Sequence, residues 1–214
     1  MLRRSLLLVA LVITLAIAPS AAFADSVAMH FIGPGGNNAG GVYTYPYNFS
    51  INGGAPVSLI CDTFSNQIVS GENWTATVSP LLSGNGLFGN ALLDYKAAAL
   101  IFQSVLNGTL SANLGNWAIW GLFDSGATQN SYFKSSGAAT VESQYLALAS
   151  SLPNSAFKAF VLYTPVRGSQ SWGGTPQEFI GYNPKAEVPE PASLTLLGTG
   201  LVGLGMKFRK KARG

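Results

Sequence analysis

The chain has 214 residues, of which 48% are hydrophobic and only 10% are charged, and its formal net charge is +3. Seven of its twelve basic residues lie in the first four or last eight positions, so the residues between carry five basic against nine acidic side chains, a net charge of −4. This distribution argues against a nucleic-acid-binding surface, and a single histidine with a single cysteine argues against a zinc cluster.

The N-terminus is predicted to be a secretory signal peptide that spans residues 1–24. Arg3 and Arg4 precede an apolar stretch over residues 6–18, and Ala22 and Ala24 form a small-x-small cleavage site for signal peptidase. We therefore expect a helical segment that is removed after Ala24. The alternative is an uncleaved N-terminal anchor.

Residues 25–187 are predicted to form one exported, β-rich domain of ordinary size. The clearest strand covers residues 43–51, in which aromatic and aliphatic side chains alternate with polar ones. Pro46 cannot donate a ladder hydrogen bond, so this strand is expected to lie at a sheet edge or to carry a bulge. Further strands are predicted over residues 26–32, 56–64 and 74–78.

The middle of the domain, about residues 90–152, is predicted to be a helical insertion. Apolar residues recur there at spacings of three and four, the period of an α-helix. They predict helices within residues 95–106, 114–123 and 141–152, after which strands return over residues 157–164 and 177–182. This order predicts an α+β fold, an antiparallel β-sheet or sandwich with a helical insertion.

No arrangement of residues in this sequence indicates catalysis. His30, the only histidine, lies on the first predicted strand beside no recognisable nucleophile, and we interpret it as a half-buried strand residue. A calcium site or a pair of glycosidase carboxylates remains an alternative, although no metal-binding or catalytic spacing supports either. We therefore expect no enzyme activity, no cofactor and no metal site. The acidic residues that the calcium alternative would use are Asp62, Glu72, Asp94 and Asp124.

Residues 188–214 contain three features in order. Pro189, Glu190 and Pro191 come first, an uncharged apolar stretch over residues 192–206 follows, and the basic residues 207–214 end the sequence. As a transmembrane helix the apolar stretch would span only about 22 Å of a roughly 30 Å hydrocarbon core, with its basic end in the cytoplasm.

This order of features resembles the PEP-CTERM sorting signal. The resemblance implies an exported bacterial protein that is anchored in the inner membrane, transiently or permanently, by its C-terminal helix. It also implies processing by an exosortase, a membrane protease or transpeptidase, with Pro189, Glu190 and Pro191 as the recognition motif. The expected final location is the cell surface or the extracellular exopolysaccharide matrix.

Cys61 ends an apolar run over residues 57–61, which is typical of a buried thiol. The segments LICD (residues 59–62) and NWAIW (residues 116–120) resemble bacterial surface thioester domains, in which a strand cysteine bonds to a glutamine before an Ala-Ile-Trp run. The resemblance implies Cys61 and Asn116 as a candidate thioester-like pair. Asparagine is one methylene shorter than glutamine, and Gly115 replaces the usual threonine. We therefore expect a thioester-like scaffold without a working thioester.

Trp172 lies in a loop of small and polar residues, where an exposed indole could stack on a sugar, whereas Trp74, Trp117 and Trp120 are expected in the core. The sequence thus predicts an exported bacterial surface or matrix protein with a structural or interaction role. The alternative is a surface adhesin or carbohydrate-binding module that contacts its ligand through Trp172.

Overall fold

The structure is a computed structural model that describes residues 25–172 and 175–183. Within them the elements follow the predicted order of strands, then helices, then strands. The strands are β1 (Asp25–Pro34), β2 (Asn38–Ala39), β3 (Val42–Tyr43), β4 (Tyr47–Ile51), β5 (Val57–Cys61), β6 (Asn73–Pro80), β7 (Phe160–Pro165) and β8 (Phe179–Tyr182). The helices are α1 (Leu92–Leu106), α2 (Ala112–Phe123), α3 (Ser125–Gln129), α4 (Ser131–Ser136) and α5 (Ala138–Ser151), followed by a 3₁₀ turn at Asn154–Phe157.

Six strands close into an antiparallel barrel in the order β1-β4-β5-β8-β7-β6, with β6 paired back to β1. The expected antiparallel, β-rich architecture with a helical insertion is therefore present, but the sheet is a barrel and not an open sheet or sandwich. The barrel closes because β8 enters between β5 and β7 after the helices. Closure of this kind leaves no unpaired sheet edge among these six strands.

The predicted strand over residues 43–51 is wrong in its first half. The chain forms β3 and β4 as separate strands, since Thr44 turns inward and donates from Oγ1 to Asn113 Oδ1 at 2.6 Å. Tyr43 is consequently 56% exposed. The edge position predicted from Pro46 is also wrong, because β4 pairs with β1 on one side and β5 on the other. The register irregularity lies in β1, between Phe31 and Gly33.

Recognisable caps separate the first two helices of the insertion. Ser111 accepts a hydrogen bond from Leu114 N and so caps α2, as serine does at helix N-termini. At the end of α1, Asn107 is the C-cap and Gly108 follows with a φ of +71°, the left-handed conformation that glycine commonly adopts after a helix. Helix α2 packs against strand β5 and brings the insertion onto the barrel.

The hydrophobic core runs through the barrel and continues under the helices. Phe49 is its centre in the barrel, with its ring 4.6 Å from Phe179 and 5.6 Å from Trp74 between centroids. Trp117 and Trp120 form the helical part, 5.1 Å apart edge to face. The prediction of Trp74, Trp117 and Trp120 as core residues is confirmed, since each is at most 3% exposed.

Candidate functional site

Cys61 lies at the end of β5 and is fully buried. Its Sγ donates a hydrogen bond to the carbonyl oxygen of Thr63 at 3.2 Å. Burial raises the pKa of the Cys61 thiol far above its usual range, because the desolvated thiolate is disfavoured. Since the thiolate is the nucleophilic form of cysteine, the site holds this side chain in its unreactive form.

The structure brings Asn116 against Cys61, as the resemblance to thioester domains implies. Asn116 Nδ2 donates to the carbonyl oxygen of Cys61 at 2.9 Å, and Asn116 Oδ1 accepts from Tyr45 N at 2.8 Å. The Asn116 amide therefore contacts the backbone of Cys61, while the Cys61 thiol donates its hydrogen bond to the Thr63 carbonyl oxygen. Both ends of the Asn116 amide have backbone hydrogen-bond partners, and the absence of a working thioester stays a prediction.

Gly115 explains how α2 reaches this position. A Cβ atom at Gly115 would lie 2.4 Å from Val105 Cγ2 and 3.4 Å from Ile101 Cγ2, both on α1. No side chain fits in that space without displacing α1. The glycine therefore allows α1 and α2 to approach closely, and this approach places Asn116 over the end of β5.

A buried acidic pair adjoins Cys61, and the sequence reasoning missed one member of it. Glu178 is fully buried, and its carboxylate accepts hydrogen bonds from Tyr95 Oη at 2.6 Å, from Leu87 N at 2.9 Å and from Thr164 Oγ1. The signal that could have identified Glu178 is its place immediately before the apolar residues of β8. A buried carboxylate needs several hydrogen-bond donors. Here the donors come from α1, β7 and the loop before α1.

Asp62 is the other member of the acidic pair. Its Oδ1 accepts from Thr63 Oγ1 at 3.0 Å, whereas no described residue donates to its buried Oδ2. Burial first, and the neighbouring Glu178 carboxylate second, raise the pKa of Asp62 well above its usual value. Asp62 is therefore protonated in the folded protein at pH values where it would ionise in the unfolded chain. A side-chain hydrogen bond with Glu178 also contributes to the raised pKa of Asp62, and such a bond between two carboxyl groups requires a proton on one of them.

The other acidic residues considered in the sequence lie apart from this pair. Asp124 caps α3 by accepting from Gly126 N at 2.7 Å, and Glu72 accepts from Val69 N at 3.0 Å. Within the described ranges, no group of three or more His, Cys, Asp or Glu side chains is placed to hold a metal ion. His30 is exposed and not half-buried as predicted, because it faces outward from β1 with its Nδ1 2.9 Å from Asn73 Oδ1.

Trp172 is 55% exposed, as its loop composition suggests. The preceding Ser171 is tied to β6, since its N–H donates to Asn73 O at 2.8 Å and its Oγ accepts from Asn73 N at 3.0 Å. The loop is therefore fixed to the barrel up to the residue before the indole. A ligand contact at Trp172 remains a prediction.

The predicted trafficking residues all lie outside the described ranges. They are the cleavage residues Ala22 and Ala24, the tripeptide Pro189, Glu190 and Pro191, the apolar stretch 192–206 and the basic residues 207–214. Of the helices between residues 25 and 183 that the structure describes, none has the length and apolar character needed to cross a bilayer.

Comparison with known proteins bears on the C-terminal segment. No curated protein and no solved structure shows significant similarity to the chain. Residues 187–211 match the family model of the PEP-CTERM protein-sorting motif, which includes the tripeptide and most of the residues that follow it. The chain therefore carries a PEP-CTERM protein-sorting motif, which indicates a protein sorted by an exosortase.

Proposed function

We propose that this protein is an exported bacterial cell-surface or extracellular-matrix protein with a structural or interaction role and no catalytic activity. The observation that carries the proposal is the sorting motif at residues 187–211, because an exosortase substrate is exported and handled at the membrane. The signal peptide predicted over residues 1–24 supports the same route. Signal peptidase and the exosortase are then its processing partners, and the C-terminal helix is its membrane contact.

Cys61, Asn116, Asp62 and Glu178 lie together in the interior, and we call this cluster the buried junction. Its geometry supports a role without catalysis. Cys61 is a desolvated thiol, and the Asn116 amide is held by two backbone hydrogen bonds. The acidic pair Asp62 and Glu178 is fully buried, so a substrate would have no access to either carboxyl group. Each of these reactive residue types thus has a structural use in the domain.

The test is intact-mass spectrometry of protein recovered from its native envelope and from the medium. We expect an N-terminus at Asp25 and a C-terminus near residues 189–191. A mature chain that retains both termini would contradict export and sorting with cleavage. A thioester between Cys61 and Asn116 would release ammonia, so a mass about 17 Da below the expected value would contradict the absence of covalent chemistry.

A second candidate function is a surface adhesin or carbohydrate-binding module that uses Trp172. The 55% exposure of this indole favours it, since exposed tryptophan is a common contact for sugars and protein partners. The test compares the retention of the wild-type protein and Trp172→Ala by purified exopolysaccharide from the producing cells. Equal retention of the two proteins would contradict a role for Trp172.

A further inference from the structure

An open cleft of about 490 Å³ is lined in part by Gln177, whose Nε2 donates to the same Thr63 carbonyl oxygen as Cys61 Sγ. It begins at Phe64 and includes the segment to Ile68, with β3 and the start of β4 opposite. None of its lining side chains carries a charge. The lining includes Tyr43, Phe64, Asn66, Gln67, Trp120 and Gln177.

Gln177 presents a fixed hydrogen-bond acceptor at this cleft. Its Nε2 donates to the carbonyl oxygens of Thr63 at 2.9 Å and Asn66 at 2.7 Å. Because both partners are acceptors, the amide orientation is determined and the remaining atom is Oε1. Gln177 is only 6% exposed, yet no described residue donates to its Oε1. An almost buried amide with one unused acceptor at a cleft is suited to a ligand that donates hydrogen bonds.

Asn66 repeats the arrangement beside Gln177. Its Nδ2 donates to the carbonyl oxygen of Pro176 at 3.1 Å, and its Oδ1 accepts from none of the described residues. The neighbouring Gln67 is exposed, and its side chain makes no hydrogen bond to the described part of the chain. Asn66 and Gln177 are thus pinned amides, meaning that their NH₂ groups are held by backbone carbonyls and their oxygens can accept. The Gln67 amide in the same cleft can both donate and accept.

Aromatic rings supply the apolar part of the cleft. Tyr43 lines the cleft and is 56% exposed. Phe64 also lines it and is half-buried, with its ring centroid 5.3 Å from that of Trp120. Recognition sites that pair aromatic surface with a few fixed polar groups are typical of small-molecule binding. Uncharged lining, unused acceptors and aromatic surface together fit a ligand with hydroxyl donors, apolar C–H faces and no net charge.

We propose that this cleft binds a neutral oligosaccharide, with the ring faces against Tyr43 and hydroxyl groups donating to Asn66 and Gln177. The proposal rests on the interaction role proposed above and gives it a ligand class. An anionic saccharide is disfavoured, because no cationic side chain lines the cleft and the two pinned amides offer only oxygens. A cationic ligand is disfavoured in turn by the absence of a lining carboxylate.

The test is calorimetric titration of the full-length protein in a zwitterionic detergent without a sugar headgroup. The probes are neutral gluco-, galacto- and manno-configured hexasaccharides, with hexagalacturonate as the anionic counterpart. We expect at least one neutral probe to bind and hexagalacturonate not to bind. Tyr43→Ala and Gln67→Ala should each weaken binding about tenfold or more, the equivalent of about 1.4 kcal/mol.

Matched controls separate the cleft from the rest of the surface. Gln144→Ala removes an exposed amide from α5, and Tyr182→Ala removes a partly exposed ring from β8, and neither should change binding. Binding confined to hexagalacturonate, or no binding by any neutral probe, would overturn the proposal. Binding lost in Trp172→Ala but retained in Tyr43→Ala would overturn the cleft and favour the second candidate function. The mass test of sorting is independent of all these outcomes.

Discussion

Two regions that share the Thr63 backbone use their amide side chains differently. In the buried junction, both ends of the Asn116 amide bond to backbone groups. In the cleft, Asn66 and Gln177 use only their NH₂ groups and leave their oxygens without donors in the described part of the chain. The Thr63 carbonyl joins the regions, because it accepts from both Cys61 Sγ and Gln177 Nε2.

The difference shows that burial alone does not identify a functional group in this domain. Asn116 and Gln177 are 0% and 6% exposed, so their burial is nearly the same. The number of satisfied hydrogen bonds separates them, because an amide with all its bonds made internally stabilises the fold and one with an unused acceptor can receive a ligand. If this distinction holds, removal of a fully bonded amide should cost more stability than removal of an amide in the cleft.

The largest effect is expected for Asn116→Leu. Leucine has a similar volume but leaves the part-buried Tyr45 N and the buried Cys61 carbonyl oxygen without their hydrogen bonds to Asn116, so we expect a loss of about 3 kcal/mol in the free energy of unfolding. Urea denaturation measures this loss. Asn107→Ala is the control, since that residue is exposed at a helix end and should change stability by about 0.5 kcal/mol or less. Equal effects of the two variants would contradict a structural role for the Asn116 amide.

Asp62→Asn is expected to change how stability depends on pH. Because the folded-state pKa of Asp62 is raised, the native state binds a proton that the unfolded state releases above about pH 4. Its stabilising contribution is full below that pH and is lost as pH rises through the folded-state pKa. The slope reaches at most about 1.4 kcal/mol per pH unit.

Urea denaturation from pH 4 to pH 8 tests this assignment. Asparagine donates an N–H where protonated Asp62 would donate its proton, so the variant should lose this part of the pH dependence and be the more stable protein at the upper end of the range. An unchanged slope in Asp62→Asn would show that another group titrates in this range.

Asn66→Ala should cost about 1 kcal/mol, since it removes only the half-buried hydrogen bond to Pro176 O. The comparison with Asn116→Leu is direct, because both variants delete one amide side chain beside the end of β5. Thermal unfolding of the two proteins ranks them. A loss for Asn66→Ala as large as that for Asn116→Leu would remove the distinction between the two regions.

The sequence predicted the local elements better than the site. Spacings of three and four predicted α1 and α2. The LICD and NWAIW segments lie together in the structure, where Asn116 Nδ2 donates to Cys61 O, while the thioester-like chemistry of that pair stays a hypothesis. Alternation failed at Tyr43, where the hydrogen bond from Thr44 to Asn113 overrides the pattern. Periodicity reports which side chains share a face, and it contains no information on such tertiary contacts.

Glu178 and Gln177 could not be predicted because their surroundings form only when the barrel closes. Gln177 bonds to residues more than 100 positions earlier in the chain, and Glu178 N donates to Thr63 Oγ1 across 115 positions. The sequence predicted a strand there without identifying β5 and β7 as its neighbours. The acidic pair and the pinned amides are therefore products of topology, which composition and spacing do not report.

The smallest effect on stability is expected for Gln67→Ala. This variant separates most clearly an amide that contacts a ligand from one that supports the fold. Gln67 is exposed and makes no side-chain hydrogen bond to the described residues, so its removal should change the free energy of unfolding by about 0.5 kcal/mol or less. The same substitution is expected to weaken saccharide binding about tenfold. A variant with unchanged thermal unfolding and reduced binding would identify Gln67 as a ligand contact. A substantial loss of stability would instead mean that the amide supports the fold, which would move this side of the cleft into the same class as the buried junction.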